Sequence, residues 1–247
     1  MLRKNQTLEE NLSYLRLTQM RNSYAEAADM AARKNISHID FLTELIGAET
    51  DARQENAVLR RLKDARLPYS KTLDQFCWSH PEKINRPQVE NLFHLNFIDK
   101  KENVVFIAGC GLGKTHLSIA LAAKACREGY TVLFTGAVDI VNSLSAARAV
   151  NGLDKALARY TKVQLLVMDE LGYLPIDKLG ADLLFQVISK RYECGSMLIT
   201  CNRAFKKWVE IFNNDSTVTS AILDRVLHHC EPVVIEGSSY RMRNKTN

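Results

Sequence analysis

Apolar residues change from a helical period to short continuous runs about a third of the way along the chain. In the first 75 or so residues, Leu8, Leu12 and Leu15 recur at helical spacing, and no strand pattern interrupts the region. Further on, short apolar runs alternate with helical stretches, which indicates a parallel, doubly wound sheet. The strand candidates are Val104–Ala108, Thr131–Thr135, Val163–Met168, Met197–Thr200 and Pro232–Ile235. We therefore expect a small helical domain over residues 1–75 and an α/β domain over residues 76–247.

The helical region has a second apolar face and a basic end. Phe41, Leu42, Leu45 and Ile46 form the apolar face, and Pro68 predicts that a helix stops there. The basic residues towards the end are Arg53, Arg60, Arg61, Lys63, Arg66 and Lys71. Two interpretations are open for them: a solvated helix face, or a surface that contacts nucleic-acid phosphates.

The first strand candidate runs into a glycine-rich turn and then into an alanine-rich helix. This arrangement is typical of a phosphate-binding loop, in which backbone N–H groups and the helix N-terminus face the phosphates. The lysine of such a loop neutralises phosphate charge, and the hydroxyl after it binds Mg²⁺. The turn predicts a nucleotide site formed by Gly109, Cys110, Gly111, Leu112, Gly113, Lys114, Thr115 and His116.

One position departs from the usual motif G-x-x-x-x-G-K-[ST]. Ala108 stands where the first glycine is expected, although Gly109 and Gly111 follow at once. The alanine would close the strand, where extended backbone suits it. We therefore expect the substitution to affect nucleotide affinity rather than the existence of the site.

Two carboxylates follow the third strand candidate. Asp169 and Glu170 come directly after Val163–Met168, and ligands of open α/β sheets bind at this carboxyl edge. Asp169 is a candidate Mg²⁺ ligand, and Glu170 a candidate base for the water that attacks the γ-phosphate. Because another strand separates this pair from the phosphate loop along the chain, we do not expect the two motifs on neighbouring strands.

Two further polar residues are candidates, each with an alternative. Asn202 follows the fourth strand candidate; it would orient the attacking water or cap the next helix. Arg225 stands in the otherwise apolar run Ala221–Leu227. It would be a salt-bridged surface residue, or an arginine that reaches into the nucleotide site of a neighbouring subunit.

Amino-acid composition excludes few classes of protein. The 247 residues are 46% hydrophobic and 25% charged, with a formal charge of +5, which permits a nucleic-acid partner without requiring one. Six cysteines form no C-x-x-C pair, and there is no membrane-length apolar run or secretory leader, so we expect a cytoplasmic protein. His228, His229 and Cys230 lack a second ligand pair at zinc-finger spacing, which favours a helix end near the core.

Several segments together resemble the IstB family. They include Asp-Glu-Leu-Gly-Tyr-Leu-Pro at 169–175, Ile-Thr-Cys-Asn at 199–202, Ile-Leu-Asp-Arg-Val-Leu-His-His at 222–229 and Gly-Ser-Ser-Tyr-Arg at 237–241. Proteins of this family are AAA+ ATPase helpers of insertion-sequence transposition, related to DnaC-type helicase loaders and DnaA-type initiators. The resemblance spans nearly the whole chain. It implies an AAA+ P-loop NTPase with a five-stranded parallel sheet flanked by helices, behind a small all-α domain for oligomerisation or DNA contact.

The resemblance also implies roles for single residues. Lys114 and Thr115 match the phosphate-loop pair that binds ATP and Mg²⁺, and Asp169 and Glu170 match the magnesium and base carboxylates. Asn202 matches the polar sensor of the family, Arg225 matches the arginine that is supplied in trans, and Arg241 matches a possible second sensor. Arg241 fits a basic tail with Arg243 and Lys245 equally well. Cys110 stands where the family tends to have proline or another small residue.

The function implied is that of an ATP-dependent helper of a transposase. Such a protein forms homo-oligomers with ATP sites at subunit interfaces, assembles on duplex DNA largely independently of sequence, deforms it and recruits the transposase. A DnaC-like loader of a replicative helicase and a nucleotide-gated DNA-binding module with little turnover are the alternatives. A metabolic kinase is disfavoured, because no arginine-rich lid follows the carboxylate pair.

Overall fold

The computed structural model describes residues 7–240, which form two compact units that divide between Arg60 and Arg61. The division lies earlier than the expected boundary after residue 75. Residues 61–75 belong to the larger unit because they pack into its core. Ala65, for example, is fully buried, and its carbonyl accepts a hydrogen bond of 2.8 Å from the Phe134 N–H.

The smaller unit contains helices α1 (Leu8–Tyr14), α2 (Thr18–Lys34) and most of α3 (His38–Asp64), as the apolar period predicts. Among residues 7–60, only Leu12, Leu45 and Glu49 are buried. The other leucines of the first predicted apolar face, and Leu42 and Ile46 of the second, are exposed. A unit of only three helices encloses little volume, so only the centre of each apolar face is covered.

The larger unit alternates helices and strands. Before the sheet it has a 3₁₀ turn (Leu73–Gln75), α4 (Arg86–Leu92) and α5 (Asn96–Asp99). The strands are β1 (Asn103–Ala108), β2 (Val132–Gly136), β3 (Leu165–Leu171), β4 (Ser196–Cys201) and β5 (Cys230–Ile235). Between them lie α6 (Lys114–Arg127), α7 (Ala137–Ala149), α8 (Leu153–Thr161), α9 (Lys178–Arg191), a 3₁₀ segment (Phe205–Glu210) and α10 (Ser216–Leu227).

All five predicted strands are confirmed, with bounds that move by a few residues. They form one parallel sheet in the order β2-β3-β4-β1-β5. The phosphate-loop strand β1 and the carboxylate strand β3 are therefore not neighbours, as expected. The strand that separates them in space is β4, whereas the one between them along the chain is β2.

Both faces of the sheet are largely buried along β1 to β4, which explains their apolar runs, whereas one face of the edge strand β5 is exposed at Pro232 and Val234. Val104 and Phe106 of β1 pack on the same side as Leu117 and Leu121 of α6. Side chains of the opposite face pack against α7, α9 and α10, which confirms a doubly wound α/β fold. No helix among residues 7–240 has the length and apolar character needed to cross a membrane.

Candidate nucleotide site

The glycine-rich turn joins the buried end of β1 to the first turn of α6. Gly111 and Gly113 have φ angles of +76° and +85°, a left-handed conformation that favours glycine. A Cβ atom on Gly113 would lie 2.5 Å from Cε2 of Phe76, so a larger residue would also collide there. Ala108, by contrast, is the last residue of β1 and pairs with Ile235 in extended backbone. The alanine thus occupies a position that does not need a glycine conformation.

Lys114 lies across the turn that precedes it. Its Nζ donates hydrogen bonds of 2.8 and 2.7 Å to the carbonyl oxygens of Ala108 and Gly109. Burial lowers the pKa of Lys114, and the negative charges of Asp169 and Glu170 are among those that oppose this shift. The ammonium group therefore stands at the N-terminal, positive end of α6, where an anion is favoured.

Thr115 and Asp169 meet at the carboxyl edge of the sheet, although 54 positions separate them. The Thr115 hydroxyl donates to both carboxylate oxygens of Asp169, at 3.2 and 3.1 Å. Two ligands at right angles on Mg²⁺ lie about 3 Å apart, since each bond is about 2.1 Å long. The spacing and the all-oxygen donor set thus fit Mg²⁺, for which Thr115 and Asp169 are the residues in place.

Glu170 and Asn202 stand at the same edge and are exposed. Glu170 has a φ of +61°, and its N–H donates a 2.9 Å hydrogen bond to the hydroxyl of Thr200. Asn202 directly follows β4, and its Oδ1 would lie 3.3 Å from a Cβ atom on Gly172 in the turn after β3. The helix-cap interpretation of Asn202 is wrong, because the next helical segment starts at Phe205 with Ala204 as its N-cap.

A pocket of about 430 Å³ opens beside the phosphate loop. One wall is the loop from Gly111 to His116, and the other walls come from the connector before α4 and from Tyr240. The connector residues are Tyr69, Lys71, Gln75, Phe76, Cys77, His80 and Pro81. No local sequence motif predicts this wall; the available signal is the aromatic content of an otherwise polar connector.

Long-range hydrogen bonds hold the pocket walls together. The His116 ring nitrogen Nε2 lies 2.9 Å from the Thr72 carbonyl, and Lys83 and Glu236 exchange backbone hydrogen bonds of 3.1 and 2.9 Å. Tyr240 donates its N–H to the Gly111 carbonyl at 3.1 Å. The next residue, Arg241, and the basic residues after it lie outside the described residues.

Arg225 lies far from the phosphate loop of its own chain. Asn103, at the start of β1, donates a 3.0 Å hydrogen bond to the carbonyl of Val226, the neighbour of Arg225. The loop follows the other end of this six-residue strand, about 16 Å away at about 3.3 Å per residue. The guanidinium lies over the ring of Phe185, 4.9 Å from its centroid, and donates to the Ala221 carbonyl. Within residues 7–240 no carboxylate forms an ion pair with it, contrary to the salt-bridge alternative.

The six basic candidates have different surroundings. Arg53 donates at 2.9 Å to Glu49, a buried carboxylate that also accepts the N–H groups of the first turn of α2. In the larger unit, Arg61 donates at 2.8 Å to the Cys126 carbonyl, and Lys71 lines the pocket. The exposed candidates besides Arg53 are Arg60, Lys63 and Arg66.

His228 and His229 do not lie near the core, contrary to expectation. Their side chains are each 51% exposed, and both approach Glu193, with nitrogen-to-oxygen distances of 3.9 and 4.0 Å. They follow the last turn of α10, where the chain turns at the surface before it enters β5. The apolar run before them therefore marks the buried face of the helix and ends where the histidines begin.

The parallel sheet, its strand order and the loop before α6 define an AAA+ P-loop protein. The solved structure of the DnaC helicase loader has the same fold, with a TM-score of 0.55 at 20% identity over 70% of this chain and all of that chain. At this identity the likeness concerns the fold alone. The family of IstB-like ATP-binding proteins matches residues 10–247, and the chain belongs to this family.

Two relatives illustrate the similarity in sequence. A protein of Bacillus thuringiensis, named as the ATP-binding protein of insertion sequence IS232, is 38% identical over 97% of this chain and 95% of its own length. A protein of Pseudomonas aeruginosa, named as the ATP-binding protein of insertion sequence IS21, is 37% identical over 96% of this chain and 89% of its own length. The match therefore includes both units of the structure.

Proposed function

We propose that this chain is an Mg²⁺-dependent ATPase that assists the transposase of an insertion sequence on duplex DNA. The observation that carries the proposal is the arrangement of Lys114, Thr115, Asp169 and Glu170 at one edge of the sheet. The Thr115 hydroxyl and the Asp169 carboxylate are in contact there, 3.1 Å apart. The names of the relatives, which refer to ATP binding and to insertion sequences, support the rest.

Each residue has a distinct part in the proposed hydrolysis. Lys114 and the N–H groups of the loop bind the β- and γ-phosphates, and the neighbouring pocket accepts the base and sugar. Thr115 and Asp169 would hold Mg²⁺, which supplies positive charge to the phosphates when bound. Glu170 accepts the proton of the attacking water, and Asn202 orients that water.

Assembly links ATP to DNA in this proposal. Because Arg225 is at the opposite edge of the sheet from its own phosphate loop, the nucleotide that it contacts would be that of a neighbouring subunit. ATP then joins neighbouring subunits and brings their basic surfaces onto one duplex. Many weak phosphate contacts sum to stable binding with little sequence preference, and hydrolysis releases the DNA. The bound duplex is deformed and presented to the transposase.

The direct test is ATP hydrolysis with and without long duplex DNA, at a protein concentration that permits assembly. We expect release of phosphate that requires Mg²⁺ and rises when DNA is added. Binding of ATP without release of phosphate under either condition would instead indicate a nucleotide-gated DNA-binding module.

The partner is tested separately by pull-down. In the presence of ATP and DNA, we expect the immobilised chain to retain the transposase of an insertion sequence. Retention of the replicative helicase, and not of the transposase, would assign the chain to helicase loading and contradict the transposition proposal.

The DNA contacts are tested by the double variant Lys63→Ala/Arg66→Ala. Loss of two phosphate contacts should lower the slope of log affinity against log salt by about 1.8 in magnitude. The matched control is Lys162→Ala/Lys190→Ala, which removes two exposed lysines elsewhere on the larger unit. Equal salt slopes in the two double variants would remove Lys63 and Arg66 from the DNA interface.

A further inference from the structure

Thr200 is a fully buried residue of β4 that contacts both carboxylate positions of the site. Its hydroxyl donates a 2.5 Å hydrogen bond to Oδ1 of Asp169 and accepts the N–H of Glu170 at 2.9 Å. A hydroxyl has one hydrogen to donate and two lone pairs, so both bonds form at the same time. Thr200 was not among the residues that the sequence singled out.

The backbone around these bonds is irregular. Met168 of β3 pairs with Ile199, but the next pair is Leu171 with Cys201, so Asp169 and Glu170 together stand opposite the single residue Thr200. Such a bulge breaks the regular alternation of side chains and redirects those that it contains. It also takes the N–H of Glu170 out of the regular ladder, and the Thr200 side chain supplies the missing acceptor.

In this arrangement the backbone of Glu170 has an unfavourable conformation. Its φ of +61° lies in the left-handed region, which a glutamate adopts rarely and retains only when its surroundings hold it there. The hydrogen bond from the Glu170 N–H to Thr200 is a specific contact that does so. The second bond of the same hydroxyl fixes the carboxylate of Asp169, which Thr115 contacts from the other side.

We propose that Thr200 is a positioning residue, which orients Asp169 towards Mg²⁺ and Glu170 towards the attacking water through one buried hydroxyl. This inference rests on the proposed ATP hydrolysis. It assigns to Thr200 an effect on the hydrolytic step and on the Mg²⁺-dependent part of nucleotide binding, but not on the contacts that the phosphate loop makes by itself.

The test compares Thr200→Val, which removes the hydroxyl at nearly constant shape, with Thr200→Ser, which retains it. The matched control is Thr219→Val, because Thr219 is also buried and donates its hydroxyl to a backbone carbonyl, in α10. For each variant we would measure the hydrolysis rate, the Kd of a fluorescent ATP analogue with and without Mg²⁺, and the thermal unfolding midpoint.

We expect Thr200→Val to lower the hydrolysis rate about tenfold or more, as loss of a hydrogen bond to a charged group implies. It should also reduce the gain in affinity that Mg²⁺ brings, while the Mg²⁺-free Kd stays within about twofold of the parent, because no contact of the loop is removed. Thr200→Ser should restore both properties, and Thr219→Val should change neither.

The positioning role would be overturned by a parent-like hydrolysis rate and Mg²⁺ effect in Thr200→Val, or by a Thr200→Ser variant as impaired as Thr200→Val. Equal losses with and without Mg²⁺, together with a lower unfolding midpoint than Thr219→Val, would also overturn it, because they indicate a purely structural residue. If the parent does not hydrolyse ATP, the proposed function fails. The Mg²⁺-dependent affinity then still decides whether Thr200 orients Asp169.

Discussion

The candidate site has two halves that differ in how far a single chain completes them. In the inner half, Lys114, Thr115 and Asp169 are at least partly buried and hydrogen-bond within the chain. In the outer half, Glu170 and Asn202 are exposed, and Arg225 is at the other edge of the sheet. The proposed function therefore assigns nucleotide binding to a single chain and hydrolysis to two neighbouring copies.

The largest effect is expected from Arg225→Ala. If this arginine completes a neighbouring site, its loss should lower the hydrolysis rate of assembled protein about 1000-fold. Nucleotide affinity of the separate chain should not change, because Arg225 does not reach its own loop. The control is Arg159→Ala, since Arg159 also lies over an aromatic ring of its own chain, that of Tyr160. An unchanged rate per subunit under assembling conditions would remove Arg225 from the site.

Glu170→Gln should separate binding from turnover. Loss of the base is expected to reduce hydrolysis about 100-fold, while the amide leaves the loop contacts intact and ATP stays bound. Complexes with duplex DNA should then last longer, which filter-binding or single-molecule lifetimes would show. Glu128→Gln, at an exposed glutamate that pairs with Lys124, is the control. Equal lifetimes in variant and parent would argue against release driven by hydrolysis.

Lys114→Ala tests the inner half alone. Removal of a partly buried charge that faces phosphate should weaken ATP binding about 30-fold or more. The control, Lys124→Ala, lies in the same helix but pairs with Glu128 away from the loop, so nucleotide affinity should be unchanged. Titration of a fluorescent ATP analogue measures both. A loss in Lys114→Ala no greater than in the control would mean that phosphate binds elsewhere.

The smallest effect is expected from Ala108→Gly, which restores the usual motif. Ala108 has extended backbone, and Lys114 contacts its carbonyl, which glycine also provides. The Kd for ATP should therefore change less than about twofold, since no hydrogen bond is gained or lost. A gain of tenfold or more in the same titration would show that the alanine itself restrains nucleotide binding.

The fold could be predicted from sequence because its signals are local. Strands β1 to β4 are mostly apolar runs buried on both faces, and the loop glycines with left-handed backbone stand next to the lysine that marks the motif. The strand order was less accessible, because the position of β4 between β1 and β3 depends on pairing between segments far apart along the chain.

The site was predictable only where one segment carries the chemistry. Backbone hydrogen bonds between Lys83 and Glu236 hold the connector against the segment after β5, and the pocket wall depends on them. No local sequence pattern predicts this pairing. The number of basic residues also could not show that Arg53 and Arg61 hydrogen-bond to groups of the protein itself. Nor could the apolar pattern of β4 show that the hydroxyl of Thr200 contacts Asp169. The roles of these side chains depend on their neighbours in space rather than on their residue types.

The most direct test of the shared site mixes two inactive variants. Glu170→Gln lacks the base but retains Arg225, and Arg225→Ala has the opposite defect, so each should be nearly inactive alone. When they are mixed with ATP and long duplex DNA, an Arg225→Ala subunit beside a Glu170→Gln subunit has one complete site. We predict that phosphate release per subunit in the mixture rises well above that of either variant alone. A rate equal to the average of the two would contradict the account.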